Sequence, residues 1–308
     1  MNKTISIIGG GLIGQQWAMI FTAYKSNIFV YDICDDQIKL FLISIRSYLQ
    51  QLIDSNISRS DECVEMQLGR ITVTTQFSDL PQNSDFVMEC VSENVEIKQK
   101  VFQLLDSHFN DETIRMSSSS FLPISTFTES LINKSKCIIA HPVSPPYLLR
   151  LVEIVPASFT SDNTVLKTKQ LMEEIKQIPV VFKKEIEGFG LNRIQAAVYN
   201  SVFKLIKDDV INVEDVDKLL TEGLGPRWAF YGPLTVAALN GPGIDNYFNK
   251  YLPGLDLLNI KQNFPPQHDQ SVIERIIDET KIRNLSSIFE ERNFTIGSIL
   301  KIKLHQKL

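Results

Sequence analysis

Two side chains twelve residues apart have the types needed to move a proton. His141 stands in "KCIIAHPVSPP", at the end of an apolar run and ahead of Pro142, Pro145 and Pro146, and Glu153 stands in the short apolar run "LVEIVP". An imidazole titrates near neutral pH, and a carboxylate beside it fixes its tautomer and stabilises the imidazolium that forms when the ring takes a proton. The prolines disfavour a continued strand or helix and hold the ring in a rigid loop. Both residues also have plain roles open to them: a hydrogen-bonded loop histidine, and the polar face of an edge strand.

A second pattern concerns phosphate. "SIIGGGLIGQQWAMIF" places Gly9, Gly11 and Gly14 in a G-x-G-x-x-G between a strand-like and a helix-like run. The first glycine permits a tight turn, the second lets a pyrophosphate approach the backbone, and the third brings helix close to strand. The next apolar run, "NIFVYD", ends in Asp32, at the spacing of about 20 residues expected for the acid that holds the adenosine ribose. A carboxylate there repels a 2′-phosphate, and Ile33, Cys34, Asp35 and Asp36 supply no cation, so NAD is favoured over NADP. A strand-capping aspartate beside a structural glycine turn would leave the same letters; strand, turn, helix and acid together favour the nucleotide site.

The elements that position these residues are legible from periodicity. Short apolar runs ("TISIIGG", "NIFVYD", "RITVTTQF", "DFVMECV", "TIRMSSS", "KCIIAH") alternate with helical patterns such as "NVEIKQKVFQLLDSHF". This is the signature of an α/β domain, a doubly wound, mostly parallel sheet of Rossmann type with helices on both faces. His141 then falls at the carboxyl end of a strand, on the edge where such sheets bind ligands. From "GFGLNRIQAAVYNSVFKLIKDDV" onward the spacing becomes helical, with Asn212 an expected N-cap. The expected division is a nucleotide-binding domain over 1–187 and an all-helical domain over 188–308.

Composition narrows the partners. The 308 residues are 44% hydrophobic and carry a formal charge of −5 without a basic block, so nucleic acid and membrane surfaces are not expected partners and small molecules are. No leader-like start and no apolar stretch of membrane-spanning length is seen, which makes the cytoplasm the expected location. The four cysteines lack metal-ligand spacing, so reduced thiols and no metal are expected.

Taken in order, "GGGLIG" with Asp32, "SSSSFL" from Ser117, "HPVSPP", "LVEIVP", "GFGLNR" from Gly188 and "EGLGPRWAFYGPL" from Glu222 resemble the 3-hydroxyacyl-CoA dehydrogenase superfamily. The similarity is greatest to the lambda-crystallin branch, whose members act as L-gulonate 3-dehydrogenases, with bacterial carnitine dehydrogenases nearby. It extends to about Lys250.

The resemblance implies NAD as cofactor and oxidation of a 3-hydroxyl, with His141 and Glu153 as the proton-abstracting pair. It also implies that Ser120 and Asn192 hold the substrate oxygen. Without it, Ser117 to Ser120 read as a polar strand end, and Asn192 as a helix cap or surface residue. In "CVSENVEIKQKVF" the resemblance sets Glu93 and Lys98 beside NAD; Lys98 has the equal alternative of an exposed helix lysine. The family usually has Asn where this chain has Ser144, which puts the contacts on the nicotinamide side in question.

Substrate size follows from charge. Relatives that use CoA carry a lysine-rich excursion after the second strand. Here that stretch has Arg46, Arg59 and Arg70 against Asp54, Asp61, Glu62 and Glu65, a poor match for a polyphosphate. Arg227, among Trp228, Phe230 and Tyr231, offers a planar fork for a carboxylate. A free hydroxy acid, gulonate-like or carnitine-like, is therefore expected, the aromatics suiting a quaternary ammonium as well. Arg227 paired with Glu222 and the aromatics as core are the plain alternatives. A true 3-hydroxyacyl-CoA dehydrogenase and a crystallin-like protein of reduced activity are the competing functions. The resemblance also implies a homodimer.

Overall fold

The computed structural model describes residues 3–229 and 232–239, with residues 247, 249–251, 253, 254 and 298 beyond them. It opens with β1 (Thr4–Ile8), α1 (Leu12–Ala23), β2 (Asn27–Tyr31), α2 (Asp35–Asp54), α3 (Val64–Leu68), β3 (Ile71–Thr74) and β4 (Phe86–Glu89). Next come α4 (Val95–His108), β5 (Ile114–Ser117), α5 (Ser125–Thr128), β6 (Cys137–Pro142), β7 (Leu151–Val155), α6 (Asp162–Glu174) and β8 (Ile178–Val181). All eight strands form one sheet in the order β3-β2-β1-β4-β5-β6-β7-β8.

The first six strands are parallel and doubly wound, so the order reverses between β1 and β4 and opens a crevice at their carboxyl ends. β7 runs antiparallel to β6, and β8 parallel to β7. Residues 143–150 are too short a connection for a parallel crossover, which takes about a dozen residues or more, so the chain turns straight back. The apolar runs anticipate β1 to β7. β8 was not anticipated: "IPVV" contains Pro179, which an edge strand tolerates, and it leaves Ile178, Val180 and Val181 exposed.

Helix α1 is buried over most of its length, from Gly14 to Ala23 except Gln15. Helix α4 is capped by Asn94, whose side chain accepts from Ile97 N, and buries a stripe of Lys98, Phe102 and Leu105. One flank of the sheet packs Ile8, Val87, Ile139 and Val155 against Phe102, Leu105, Phe127 and Phe189. Each such side chain taken out of water contributes about 1.5–3 kcal/mol.

The chain divides into two compact units, Met1–Asn192 and Arg193–Leu308. The sequence-based boundary at 187/188 stands shortly before this division. Helix α7 (Leu191–Lys207) leads to α8 (Val213–Lys218), which Asn212 caps by accepting from Asp215 N. Ile206, Val213 and Val216 make a small core there. Among the described residues after Gly188 there is no strand.

Candidate active site

The register of β6 on β7 pairs His141 directly with Glu153. His141 Nδ1 lies 2.7 Å from Glu153 Oε2, with the two residues 6% and 3% exposed. An ionised carboxylate only accepts, so Nδ1 carries the proton and Nε2 the lone pair. Among the described residues nothing engages Nε2, which leaves it for a substrate hydroxyl. The other carboxylate oxygen, Oε1, accepts from Gly190 N at 2.9 Å and Leu191 N at 2.8 Å. Burial works to raise the Glu153 carboxyl, but His141 and these two N–H groups outweigh it and hold it below the usual carboxylate range. Phe189, at φ +48°, lays its ring against the imidazole at 5.7 Å between centroids.

The segment that feeds these N–H groups to Glu153 also holds the serine loop. Gly188 N donates to Phe121 O at 2.9 Å, and Asn192 Nδ2 donates to Ser120 O at 2.5 Å. Ser120, Asn192, Glu153 and His141 thus belong to one connected segment of structure. Asn192 was expected to hold the substrate oxygen; the structure spends one of its N–H groups on the Ser120 carbonyl. The Ser120 hydroxyl has no partner among the described residues, and the residue is exposed.

Glu93 and Lys98 sit on the other side of that loop. Glu93 Oε1 accepts from Ser119 Oγ at 2.6 Å and from the N–H groups of Ser120, Phe121 and Leu122 at 3.1, 2.9 and 3.2 Å. Burial pushes this carboxyl up, but Ser119, Lys98 and the backbone donors hold it lower than usual. Lys98 is not the exposed helix lysine that its polar neighbours allowed. It is 1% exposed, because it occupies the apolar stripe of α4. Its ammonium faces both oxygens of Glu89 at 2.9 and 3.0 Å, Val91 O at 3.4 Å and Glu93 Oε2 at 3.5 Å. Three N–H donors are already claimed by these acceptors.

Glu89, Ser117 and Ser119 were missed by sequence reasoning. Glu89 is fully buried, with Ser117 Oγ at 2.5 Å and Val91 N at 2.7 Å, and burial pushes its carboxyl up against the pull of Lys98 and Ser117. A charged residue inside the apolar run "FVME", in line with a lysine on an apolar helical stripe, was the signal available.

The glycine loop fits NAD. A Cβ on Gly9, at φ +108°, would stand 2.7 Å from Cys90 O, and one on Gly14 would stand 2.0 Å from Gly9 O. Gly11 has no atom within 4 Å of that position, and it caps α1 without a side-chain acceptor. The first-turn N–H groups are therefore open to phosphate oxygens. Asp32 braces the loop, Oδ2 accepting from Gly10 N at 2.7 Å and Oδ1 from Cys34 N at 2.9 Å. Each oxygen keeps a second lone pair for a ribose hydroxyl.

Arg227 is exposed, and no ion pair joins it to Glu222. Trp228 is 39% exposed rather than core. Phe230 and Tyr231 lie outside the described residues. Ser144 is exposed, in the turn after His141.

Comparison with known proteins bears on the fold and the family. The model of the 3-hydroxyacyl-CoA dehydrogenase NAD-binding domain matches residues 4–186, and that of the family's C-terminal domain matches residues 188–283. A lambda-crystallin homolog of Mus musculus is 36% identical over 275 residues, covering 89% of this chain and 86% of its own. An L-carnitine dehydrogenase of Oceanobacillus iheyensis is 27% identical over 297 residues, covering 94% and 95%. In fold, the chain is similar to 5-formyl-3-hydroxy-2-methylpyridine 4-carboxylic acid 5-dehydrogenase, an NAD-dependent dismutase, at a TM-score of 0.84 and 24% identity over 98% of both chains.

Proposed function

Since the chain belongs to the 3-hydroxyacyl-CoA dehydrogenase family, an NAD-binding oxidoreductase family, we propose that it oxidises the 3-hydroxyl of a small free hydroxy acid, gulonate-like or carnitine-like, to the 3-keto acid. The observation that favours a free acid over a thioester is the fate of the three arginines over residues 46–70. Arg46 pairs with Glu65, and Arg70 holds Glu62 through two bonds of 2.6 and 2.7 Å. Arg59 turns inward, with Gln177 Oε1 at 2.6 Å, Pro146 O at 3.3 Å and the Tyr147 ring at 4.9 Å. Four carboxylates over residues 46–70 outnumber these arginines, and the stretch contains no lysine, so a polyphosphate handle meets net negative charge.

In this reading, bound NAD supplies the hydride acceptor. His141 Nε2 takes the hydroxyl proton as the carbinol carbon is oxidised, and Glu153, ionised and held at both oxygens, stabilises the imidazolium. Glu153 is not the base, because both its oxygens are occupied. The Ser120 hydroxyl and the remaining amide N–H of Asn192 offer donors to the reacting oxygen. Arg227 is the proposed fork for the substrate carboxylate, and Trp228 the face for a quaternary ammonium. A homodimer belongs to the same reading; Ile194 and Tyr199 on α7, 65% and 50% exposed, give apolar surface for it, and sedimentation velocity would detect it.

The test is NADH formation with L-gulonate, L-carnitine, L-3-hydroxybutyrate and L-3-hydroxybutyryl-CoA supplied in parallel. Turnover of a free acid in preference to the thioester is expected. Preference for the thioester refutes the substrate class. Silence on all four, with NAD still bound, refutes the activity and favours a crystallin-like role.

A further inference from the structure

Two consecutive residues of α1, Gln16 and Trp17, follow the last glycine of the nucleotide loop, and both are buried, at 4% and 0% exposure. Neighbouring residues on a helix point about 100° apart, so such a pair reaches two different partners. Gln16 Oε1 accepts from Tyr147 N at 3.1 Å, in the turn that follows His141. Trp17 Nε1 donates to Ser118 Oγ at 3.0 Å, two residues before Ser120. Helix α1 thereby holds one point on the turn that follows His141 and one on the loop that carries Ser120.

Each tie is braced from behind. Tyr147 is 2% exposed, its hydroxyl accepts from Arg59 N at 2.7 Å, and the Arg59 guanidinium lies over its ring. Ser118 Oγ also meets Met88 Sδ at 3.2 Å and Cys90 Sγ at 3.4 Å, and Trp17 stacks on Phe21 at 5.2 Å. A packing role alone would be met by Leu or Phe; a buried amide or indole N–H left without a partner costs about 1–3 kcal/mol. The other anchors described above, Glu153 on the histidine side and Glu93 on the serine side, join the two loops to their own surroundings. These two bonds join them to the helix whose N-terminus receives the dinucleotide phosphates.

We propose that Gln16 and Trp17 are positioning residues that align the turn after His141 and the Ser120 loop with the bound dinucleotide. The catalytic part of this inference rests on the dehydrogenase reading given above. Hydride transfer needs reacting atoms within about 3–3.5 Å, and a misplacement of about 1 Å costs about 100-fold. Referring both loops to the nucleotide helix meets that tolerance.

The experiment is amide hydrogen exchange read by mass spectrometry, with ADP as probe, because ADP fills the adenosine and phosphate positions and lacks the nicotinamide half. In the unaltered chain ADP is expected to slow exchange over 117–122 and over 143–149. Gln16→Met is expected to abolish the effect over 143–149 alone, and Ser118→Ala over 117–122 alone, with Trp17→Phe as a second variant of that tie. Gln16→Glu keeps an acceptor oxygen and is expected to restore it. Equal slowing of both segments in all variants overturns the proposal, as does the absence of slowing in the unaltered chain when ADP is bound. With a hydroxy acid that the unaltered chain turns over, Gln16→Met and Ser118→Ala are expected to lower kcat about 10- to 100-fold without raising KM for NAD. A change confined to KM for NAD overturns the positioning role. If no hydroxy acid is turned over, the dehydrogenase reading fails and the exchange measurement still decides this one.

Discussion

Glu153→Gln tests the proton pair most sharply, because the structure dictates how the new amide must sit. Oε1 of Glu153 takes two backbone N–H groups, at 2.9 and 2.8 Å, while Oε2 takes His141 Nδ1 at 2.7 Å. A glutamine keeps its carbonyl toward the two N–H donors and must turn its NH₂ to the imidazole. The reverse orientation leaves two buried donors facing a third, at about 1–3 kcal/mol each. An NH₂ facing Nδ1 forces that nitrogen to accept, so the ring proton moves to Nε2, the position proposed to receive the substrate's proton. The base is then present in the wrong tautomer. Loss of a general base costs about 100- to 10,000-fold, or about 3–5.5 kcal/mol in the barrier. The assay is kcat for the preferred hydroxy acid, with NADH affinity measured separately and expected to be unchanged, and the imidazole nitrogen shifts recorded by NMR. A variant that turns over within a few-fold of the unaltered chain, or one whose Nδ1 still carries the proton, would refute the reasoning.

Three further outcomes are expected. Asp32→Ala removes the ribose acceptor and the brace on Gly10 and Cys34, so KM for NAD should rise about 10- to 100-fold and the preference over NADP should relax; an unchanged preference places the ribose contact elsewhere. Gly190→Ala brings a Cβ to 2.8 Å from Phe182 Cζ and 3.1 Å from Glu153 Oε1, which should cost about 1–3 kcal/mol in thermal or denaturant unfolding and lower kcat with it; a fully stable, active variant shows that the strand end moves freely. The folded Glu153 carboxyl titrates below its unfolded value of about 4.3, so its contribution to stability is complete above that pH and is lost as pH falls through the lower folded value. Thermal midpoints followed from about pH 5 down to about pH 3 should therefore fall less steeply in Glu153→Gln, and parallel curves would contradict the pairing.

The sequence was most informative where function depends on a local backbone rule. Gly9, Gly11, Gly14 and Asp32 could be read because a turn, an open helix N-terminus and a strand end each demand particular residue types at fixed spacing. His141 and Glu153 could be read as a pair because the prolines force a turn and the second apolar run returns the chain. The serine loop could not be read in the same way. Glu93 gathers N–H groups from residues 120–122, and Glu89 meets Lys98 and Ser117, across strand and helix neighbours that only the packed sheet brings together. Lys98 left a trace, since it shares the spacing of Phe102 and Leu105 on α4, but a lysine among Glu96, Gln99 and Lys100 resembles a solvated face. Gln16 and Trp17 left none, because in sequence they are simply two residues of a helix that is buried almost all round.

The reversal of direction between β6 and β7 has a consequence for how the chain folds. His141 and Glu153 are 12 residues apart, whereas Thr4 meets Asp85, at the base of the nucleotide half, across 81 residues. Loop-closure entropy grows with the logarithm of loop length, so the longer closure costs about 1.7 kcal/mol more than the shorter. The hairpin that assembles the proton pair is thus a low-contact-order unit, while the crevice for the dinucleotide waits on distant strands finding each other. A lesion that slows pairing of β1 with β4 would delay the nucleotide site while leaving the hairpin able to close.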